Sequence, residues 1–165
     1  MQLKQKNLLE NNKAFYIAYG SNLDIETLKS RCPSVCIKGM SQLNNYKLVY
    51  RGIDDYLSYL TLEECEGSVV PIVLYEMNYL DINSLDQFEG YPILYTKNNL
   101  EIIVNEEKYN AFIYVMNDNY DYHMPSYHYI RICERGYNFY SFDNDVLNHA
   151  LIDTKQKIKK RFLTK

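Results

Sequence analysis

The chain has 165 residues, of which 47% are hydrophobic, and this is enough apolar material for one domain with a buried core. The same hydrophobic fraction excludes wholesale disorder, and the formal net charge of −3 argues against a surface built to neutralise nucleic-acid phosphates. We expect a single domain over residues 1–165, with a polar leader at 1–13 and the basic end of a helix at 153–165.

The first half of the chain is predicted to form a buried strand, a short helix and further strands. The run from Ala14 to Tyr19 is short, apolar and aromatic, which is typical of a buried strand. Asp24 to Arg31 predicts a helix, because acidic residues begin it, basic residues end it and a proline follows. Three later runs, separated by turn-forming residues, are predicted as strands: Tyr46 to Tyr50, Tyr56 to Leu62 and Val69 to Tyr75.

The second half of the chain alternates between helical and strand patterns. Asn78 to Glu89 predicts a short helix, and Leu100 to Val104 with Tyr109 to Met116 predicts a hairpin of two strands. The pattern becomes helical again from Ser126, and a last helix is expected from Asp143 to about Lys160. Together these elements predict an α+β fold, a small mixed and mostly antiparallel β-barrel with flanking helices.

The turn between the first strand and the first helix is one candidate binding site. It contains Tyr19, Gly20, Ser21 and Asn22. Gly20 allows the backbone to turn and to approach a ligand closely. The N–H groups that follow it have no helical acceptor, so they favour an anion or a developing oxyanion. A plain strand-to-helix turn, with Asn22 or Asp24 as the N-cap, explains the same residues.

Glu89 is the candidate acid–base residue. Ile82, Leu85 and Glu89 share one face of the predicted helix, and that face is otherwise apolar. Gly90 ends the helix, so burial and the negative end of the helix dipole would both raise the pKa of Glu89 toward the range of a general base. A surface glutamate at a frayed helix end is the alternative. Asp86 falls on a different face and is expected to be solvated or to act as a local cap.

Other chemistries have little support in the sequence. There is no Cys-x-x-Cys and no His-Glu-x-x-His, so no metal site is expected. The four cysteines are expected to be reduced thiols, and no secretion signal or membrane span is apparent, which predicts a cytoplasmic protein. Gly-x-Ser-x-Gly is absent, which argues against a serine hydrolase built on Ser21. His123 and His128 could touch a substrate, although loop histidines are more often surface residues.

Ordered blocks spread over roughly residues 14 to 137 match one known family. The most informative are Phe15 to Leu23, Gly67 to Met77 and Leu85 to Pro92. Shorter blocks support them at Arg31 to Pro33, Tyr46 to Leu48, Leu94 to Tyr95, and Pro125 to Ile130. In this order and spacing the blocks resemble the γ-glutamylcyclotransferases of the AIG2-like fold. Tyrosine-rich segments at 53–62 and 117–124 depart from the family pattern and leave the choice of substrate open.

The resemblance implies a small β-barrel, no cofactor, and cyclisation of a γ-glutamyl group to 5-oxoproline. The family's catalytic glutamate corresponds to Glu89. Its substrate-binding residues correspond to Tyr19, Gly20, Ser21, Asn22, Tyr95 and Tyr129. The implied partner is a small γ-glutamyl substrate, without nucleic acid or membrane, and a homodimer is left open. The alternatives are a γ-glutamyl amine or another γ-glutamylated metabolite as the substrate, and a non-catalytic binding module.

Overall fold

A computed structural model describes residues 11–163, together with Gln5 and Leu8. In this part of the chain six strands form one curled half-barrel sheet, which four helices flank. The strands are β1 Lys13–Ala18, β2 Cys36–Asp54, β3 Leu57–Asn78, β4 Tyr95–Val104, β5 Glu107–Met116 and β6 Asp121–Tyr122. The helices are α1 Ile25–Arg31, α2 Tyr79–Glu89, α3 Tyr127–Phe139 and α4 Asp145–Leu163, with a 3-10 turn at Ser21–Leu23. Most of the predicted leader lies outside the described residues.

The sheet is mixed and mostly antiparallel, which confirms the predicted fold class. Its strand order is β4-β5-β1-β3-β2-β6, and β1 runs parallel to β5 while the other pairs are antiparallel. The central strand β1 is therefore paired on both sides, where Ile17 lies opposite Leu74 of β3 and Ile113 of β5. All three side chains are buried, so the end of β1 is held firmly in the core.

Two long strands replace the three short strands predicted between residues 46 and 75. β2 has 19 residues and β3 has 22, and they pair along almost their whole length. The turn-forming residues at 51–55 end β2 at Asp54, whereas those at 63–68 do not end β3. Register shifts lie at Ile37/Gly39, Asn44/Tyr46 and Gly52/Asp54, and the second of them involves residues 65–68 of β3. Bulges of this kind bend a strand without ending it, and here they let the hairpin curl around the core.

The sheet curls until the start of β2 approaches the end of β4. Ser41 Oγ donates to the main-chain oxygen of Ile103 over 2.8 Å. Gly39 lies so close to Val104 that a Cβ atom at Gly39 would come within 2.5 Å of its side chain. This contact nearly closes the half-barrel at one end. No helix among residues 11–163 is long and apolar enough to span a bilayer.

Two contacts place the helices that carry the candidate site. Asn78 caps α2 by accepting a hydrogen bond from Asp81 N over 2.8 Å, and the Asp81 carboxylate accepts one from Ser34 N over 2.6 Å. The start of α2 is thereby tied to the loop that follows α1. On the other side, Gly136 of α3 packs directly on Leu23, so α3 supports the 3-10 turn.

Gly136→Ala is expected to loosen the contact between α3 and the 3-10 turn. The new Cβ atom would lie 2.5 Å from Leu23 Cβ and 2.6 Å from its carbonyl carbon, so one of the two elements must move. We expect a loss of about 1–3 kcal/mol in the free energy of unfolding, measured by urea denaturation. Arg131→Ala, at an exposed position of the same helix, is the control. Equal stability of the two variants would contradict this packing.

Candidate functional site

A hydrogen bond joins the two sequence segments predicted to form the site. Asn22 Nδ2, in the 3-10 turn after β1, donates to Glu89 Oε1 over 2.7 Å. Glu89 is the last residue of α2, and Gly90 follows it in the left-handed conformation at φ 64° and ψ 30°. The N–H groups of Gly90 and Tyr91 bond back to the last turn of the helix. The helix α2 therefore ends at Glu89, the residue whose carboxylate accepts the hydrogen bond from Asn22.

Asn22 is the centre of a buried hydrogen-bond network. Its Nδ2 also donates to the hydroxyl of Tyr16 over 2.9 Å, and its Oδ1 accepts from Arg31 Nη2 over 2.9 Å. Because a guanidinium group has no acceptor, the amide must turn its oxygen toward Arg31 and its NH₂ group toward Glu89. The Arg31 guanidinium lies 3.6 Å above the ring of Phe88, next to Glu89 in the chain. Arg31 thus fixes the orientation of Asn22.

Burial raises the pKa of Glu89 to about 7. The hydrogen bond from Asn22 and the positive charge of Arg31 pull this pKa down, while the charge of Asp86 pushes it up. As a whole residue Glu89 is only half-buried, because one side of it faces a cavity. Protein surrounds its carboxylate closely enough for the loss of hydration to outweigh both stabilising contacts. The group is therefore divided between its two protonation states near neutral pH.

A cavity and a small recess meet at Glu89. The outer cavity has a volume of about 400 Å³, and the recess about 30 Å³. Four residues line both: Ser21, Glu89, Tyr95 and Tyr129. The recess is completed by Tyr16, Tyr19, Gly20, Asn22, Leu60 and Tyr114. The outer cavity is completed by Thr27, Arg31, Tyr59, Phe88, Leu94, His128 and Ile132. Every residue predicted for the site thus lines one or both spaces.

The predicted tyrosines form the walls of the recess. The hydroxyl of Tyr19 donates to the main-chain oxygen of Tyr114 over 2.6 Å, and that of Tyr95 donates to Leu60 O over 2.8 Å. The hydroxyl of Tyr129 accepts from Leu60 N over 3.1 Å. Burial raises the pKa of all three hydroxyls, so they are neutral at physiological pH. Their rings line the recess, while their hydroxyls form hydrogen bonds with main-chain groups of the strands.

The 3-10 turn lines the recess and begins with main-chain N–H groups that the turn itself leaves unpaired. The N–H groups of Leu23 and Asp24 bond to Gly20 O and Ser21 O over 3.0 and 3.1 Å. The N–H groups of Ser21 and Asn22 are the first of the turn and have no acceptor within it. A Cβ atom at Gly20 would lie 3.5 Å from the hydroxyl of Tyr129 and would narrow the recess. This arrangement can hold an oxyanion.

Asp86 is not solvated and is not a local cap, so that prediction is wrong. It is half-buried, its Oδ2 accepts from Lys97 Nζ over 2.8 Å, and its Oδ1 accepts from the hydroxyl of Tyr114. Lys97 and Tyr114 face each other in the β4–β5 pairing. Asp86 therefore fastens α2 to this hairpin, and only knowledge of the strand register could have revealed it. Among the described residues no cluster of His, Cys, Asp and Glu could hold a metal ion.

Sequence reasoning missed Arg31 and Phe88 as parts of the site. The basic residues at the end of α1 were explained by the helix dipole, which gives no reason to expect a contact with Asn22. The signal available was the block Arg31 to Pro33, which resembles the family but does not by itself give Arg31 a role. Of the two candidate histidines, His128 lines the outer cavity, whereas His123 lies beside Asp55, with Nδ1 and Oδ1 3.3 Å apart.

The raised pKa of Glu89 predicts how stability depends on pH. Between the ordinary pKa of 4.5 and the folded value of about 7, the folded state binds more protons than the unfolded state. The free energy of unfolding therefore falls as pH rises through this window, by on the order of 2 kcal/mol, and then levels off. Glu89→Gln should remove this decline in urea unfolding at pH 4.5 to 8. Glu101→Gln, at an exposed glutamate, is the control and should show the same decline as the wild type. If Glu89→Gln also kept the decline, other titrating groups would be its cause.

Comparison with known proteins identifies the family. The family described as "Gamma-glutamyl cyclotransferase, AIG2-like" matches residues 16–131. The chain is 29% identical to human γ-glutamylcyclotransferase over 124 residues, which are 71% of this chain and 66%, just under two thirds, of the human protein. A solved γ-glutamyl cyclotransferase structure is similar with a TM-score of 0.68 and 27% identity, over 78% of this chain and 80% of that one. YkqA from Bacillus subtilis shares the fold with a TM-score of 0.69 at 20% identity, over 90% of this chain and 57% of YkqA. This chain belongs to the γ-glutamyl cyclotransferase, AIG2-like family.

Proposed function

We propose that the protein is a γ-glutamyl cyclotransferase, which converts a γ-glutamyl amide into 5-oxoproline and a free amino acid or amine. The observation that carries this proposal is the carboxyl of Glu89, enclosed at the junction of a recess and an open cavity, with a pKa of about 7. Relatives named γ-glutamylcyclotransferase support the class of reaction.

Glu89 is the proposed general base. A γ-glutamyl substrate carries its own nucleophile, the α-amino group, which is mostly protonated at neutral pH. With a pKa of about 7, Glu89 is about half deprotonated at pH 7 and can accept a proton from this ammonium group. Among residues 11–163 only Oε1 of Glu89 accepts a hydrogen bond, from Asn22, which leaves Oε2 to the substrate.

Cyclisation then takes place within the substrate. The free amine attacks the γ-carbonyl carbon, and holding the two groups together lowers the barrier by several kcal/mol. The N–H groups of Ser21 and Asn22 stabilise the oxyanion of the tetrahedral intermediate. Because these two N–H groups are fixed by the turn, they need no reorganisation when the oxyanion forms.

Protonated Glu89 completes the reaction by donating its proton to the leaving nitrogen. The bond between the γ-carbon and that nitrogen breaks, while the new carbon–nitrogen bond remains in the ring of 5-oxoproline. Over the whole reaction the attacking nitrogen loses two protons and the leaving nitrogen, released as an ammonium group, gains two. One cycle of the carboxyl as base and then acid moves the first proton. In a second cycle Glu89 takes a proton from the ring nitrogen and passes it to the leaving amine, so the reaction balances with one carboxyl group and without a cofactor.

Release of 5-oxoproline by the purified protein tests the proposal. γ-Glutamyl-alanine, both γ-glutamyl-lysine isomers and glutathione cover three kinds of leaving group. We expect turnover of at least one, with kcat/KM rising with pH through an apparent pKa near 7, because Glu89 must be deprotonated to begin the reaction. Glu89→Gln should reduce kcat by about 10²-fold or more, while Glu101→Gln should keep it.

Two results would contradict the proposal. Full activity in Glu89→Gln would remove Glu89 from the chemistry. Absence of release from every substrate, with tight binding of a γ-glutamyl compound measured by calorimetry, would favour the binding module instead.

A further inference from the structure

The outer cavity is more than ten times larger than the recess, and much of its wall is apolar. Its volume is about 400 Å³ against about 30 Å³ for the recess. Tyr59, Phe88, Leu94 and Ile132 form the apolar part of the wall. Phe88 is still 53% exposed, and nearby Ile93 is 75% exposed. An apolar wall around a polar centre is typical of a site that holds an apolar part of its ligand.

Arg31 is the permanently charged cation among the described residues that line this cavity. Its Nη2 bonds to the amide oxygen of Asn22 and its plane lies on Phe88, but its buried Nε has no hydrogen-bond partner. No carboxylate among residues 11–163 forms an ion pair with it. A guanidinium group matches a carboxylate in shape and charge, and Nη1 of Arg31 forms no hydrogen bond to residues 11–163. Arg31 is therefore suited to bind an anionic group that enters the cavity.

The position of Arg31 indicates which part of a substrate it meets. The γ-carbonyl must reach the N–H groups of Ser21 and Asn22, so the γ-glutamyl group occupies the inner end. The leaving nitrogen must reach Glu89, and whatever is attached to it extends into the outer cavity. Arg31 lines that cavity and not the recess, and it is separated from Glu89 by the amide of Asn22. In a leaving α-amino acid the carboxylate is two bonds from the nitrogen.

We propose that the outer cavity selects an apolar or aromatic α-amino acid as the leaving group. Arg31 binds its carboxylate, and Phe88, Leu94 and Ile132 hold its side chain. This inference rests on the proposed cyclotransferase function and adds to it the identity of the leaving group. It predicts that γ-glutamyl amines are poor substrates, because they lack the carboxylate.

Three substrates separate the two parts of the inference. γ-Glutamyl-phenylalanine carries the ring and the carboxylate, γ-glutamyl-phenethylamine lacks only the carboxylate, and γ-glutamyl-alanine lacks only the ring. For the wild type we expect kcat/KM to be about 10- to 100-fold higher for the phenylalanine than for the phenethylamine compound. The preference over the alanine compound should be about 10-fold, and Ile132→Ala should reduce it.

Arg31→Gln tests the carboxylate contact. Arg31 also holds Asn22, so this variant should slow every substrate by a common factor, which cancels in the ratio of two substrates. The ratio of kcat/KM for the phenylalanine compound to that for the phenethylamine compound should fall to about 1. Arg31→Lys keeps the positive charge but not the bidentate geometry of the guanidinium group, so it should give an intermediate ratio. Arg131→Gln, at a 56% exposed arginine of α3, is the matched control and should keep the wild-type ratio.

The outcomes are distinct. Turnover with the same ratio in wild type and Arg31→Gln would overturn the role of Arg31 in selecting the leaving group and leave the proposed function intact. A wild-type preference for the alanine compound would overturn the role of the apolar wall. Absence of 5-oxoproline from all three substrates would overturn the inference, and release from glutathione or a γ-glutamyl-lysine isomer would then leave the proposed function intact. Absence of release from those compounds as well would overturn the proposed function.

Discussion

The hydrogen bond between Asn22 and Glu89 connects segments that are 67 residues apart in the chain, and much of the fold determines whether it can form. The strand β1 delivers Asn22 from the centre of the sheet, where it is paired on both sides. The helix α2 delivers Glu89, and its start is fixed through Asp81 to the loop after α1. Asp86 then fastens the same helix to the β4–β5 hairpin. Separate parts of the fold therefore position the two partners of this bond.

The electrostatics of Glu89 depend on the amide that separates it from Arg31. Loss of hydration raises the pKa of this carboxyl, and a guanidinium group in direct contact would lower it strongly. Asn22 lies between them, donating to Glu89 and accepting from Arg31, so that the cation acts only at a distance. The pKa of about 7 follows from this balance. A carboxyl in this range can accept a proton and return it, which is what a one-residue acid–base mechanism requires.

The local elements of the site could be predicted from the sequence, because local signals determine them. The apolar face of α2 and the glycine after it predicted both the helix and the place of Glu89 in its last turn. The extent of β2 and β3 was not predicted, since Gly, Asn and Asp residues are equally compatible with turns and with bulges. Pairing with a neighbouring strand decides between them, and pairing is not a local property.

The roles of Asp86, Arg31 and the tyrosine hydroxyls could not be predicted from the sequence, because they depend on contacts between separate elements. The face of α2 that carries Asp86 looks solvent-exposed when the helix is considered alone, and it is covered only because Lys97 and Tyr114 lie opposite. An arginine at the end of α1 is explained equally well by a favourable interaction with the helix dipole and by a hydrogen bond to Asn22. The sequence position of Arg31 therefore could not distinguish these two roles. The tyrosines were predicted as site residues through the family resemblance, but the use of their hydroxyls to bind main-chain groups depends on the curl of the sheet.

The titration of the Glu89 carboxyl itself tests the account most directly. It can be followed by carbon NMR of protein labelled in its glutamate side chains, with Glu89→Gln assigning the resonance. We expect a midpoint near pH 7 in the wild type, and a higher midpoint in Asn22→Leu, because the donor that stabilises the charged form is lost. A wild-type midpoint close to 4.5, the ordinary pKa of glutamate, would contradict the assignment of Glu89 as the acid–base residue.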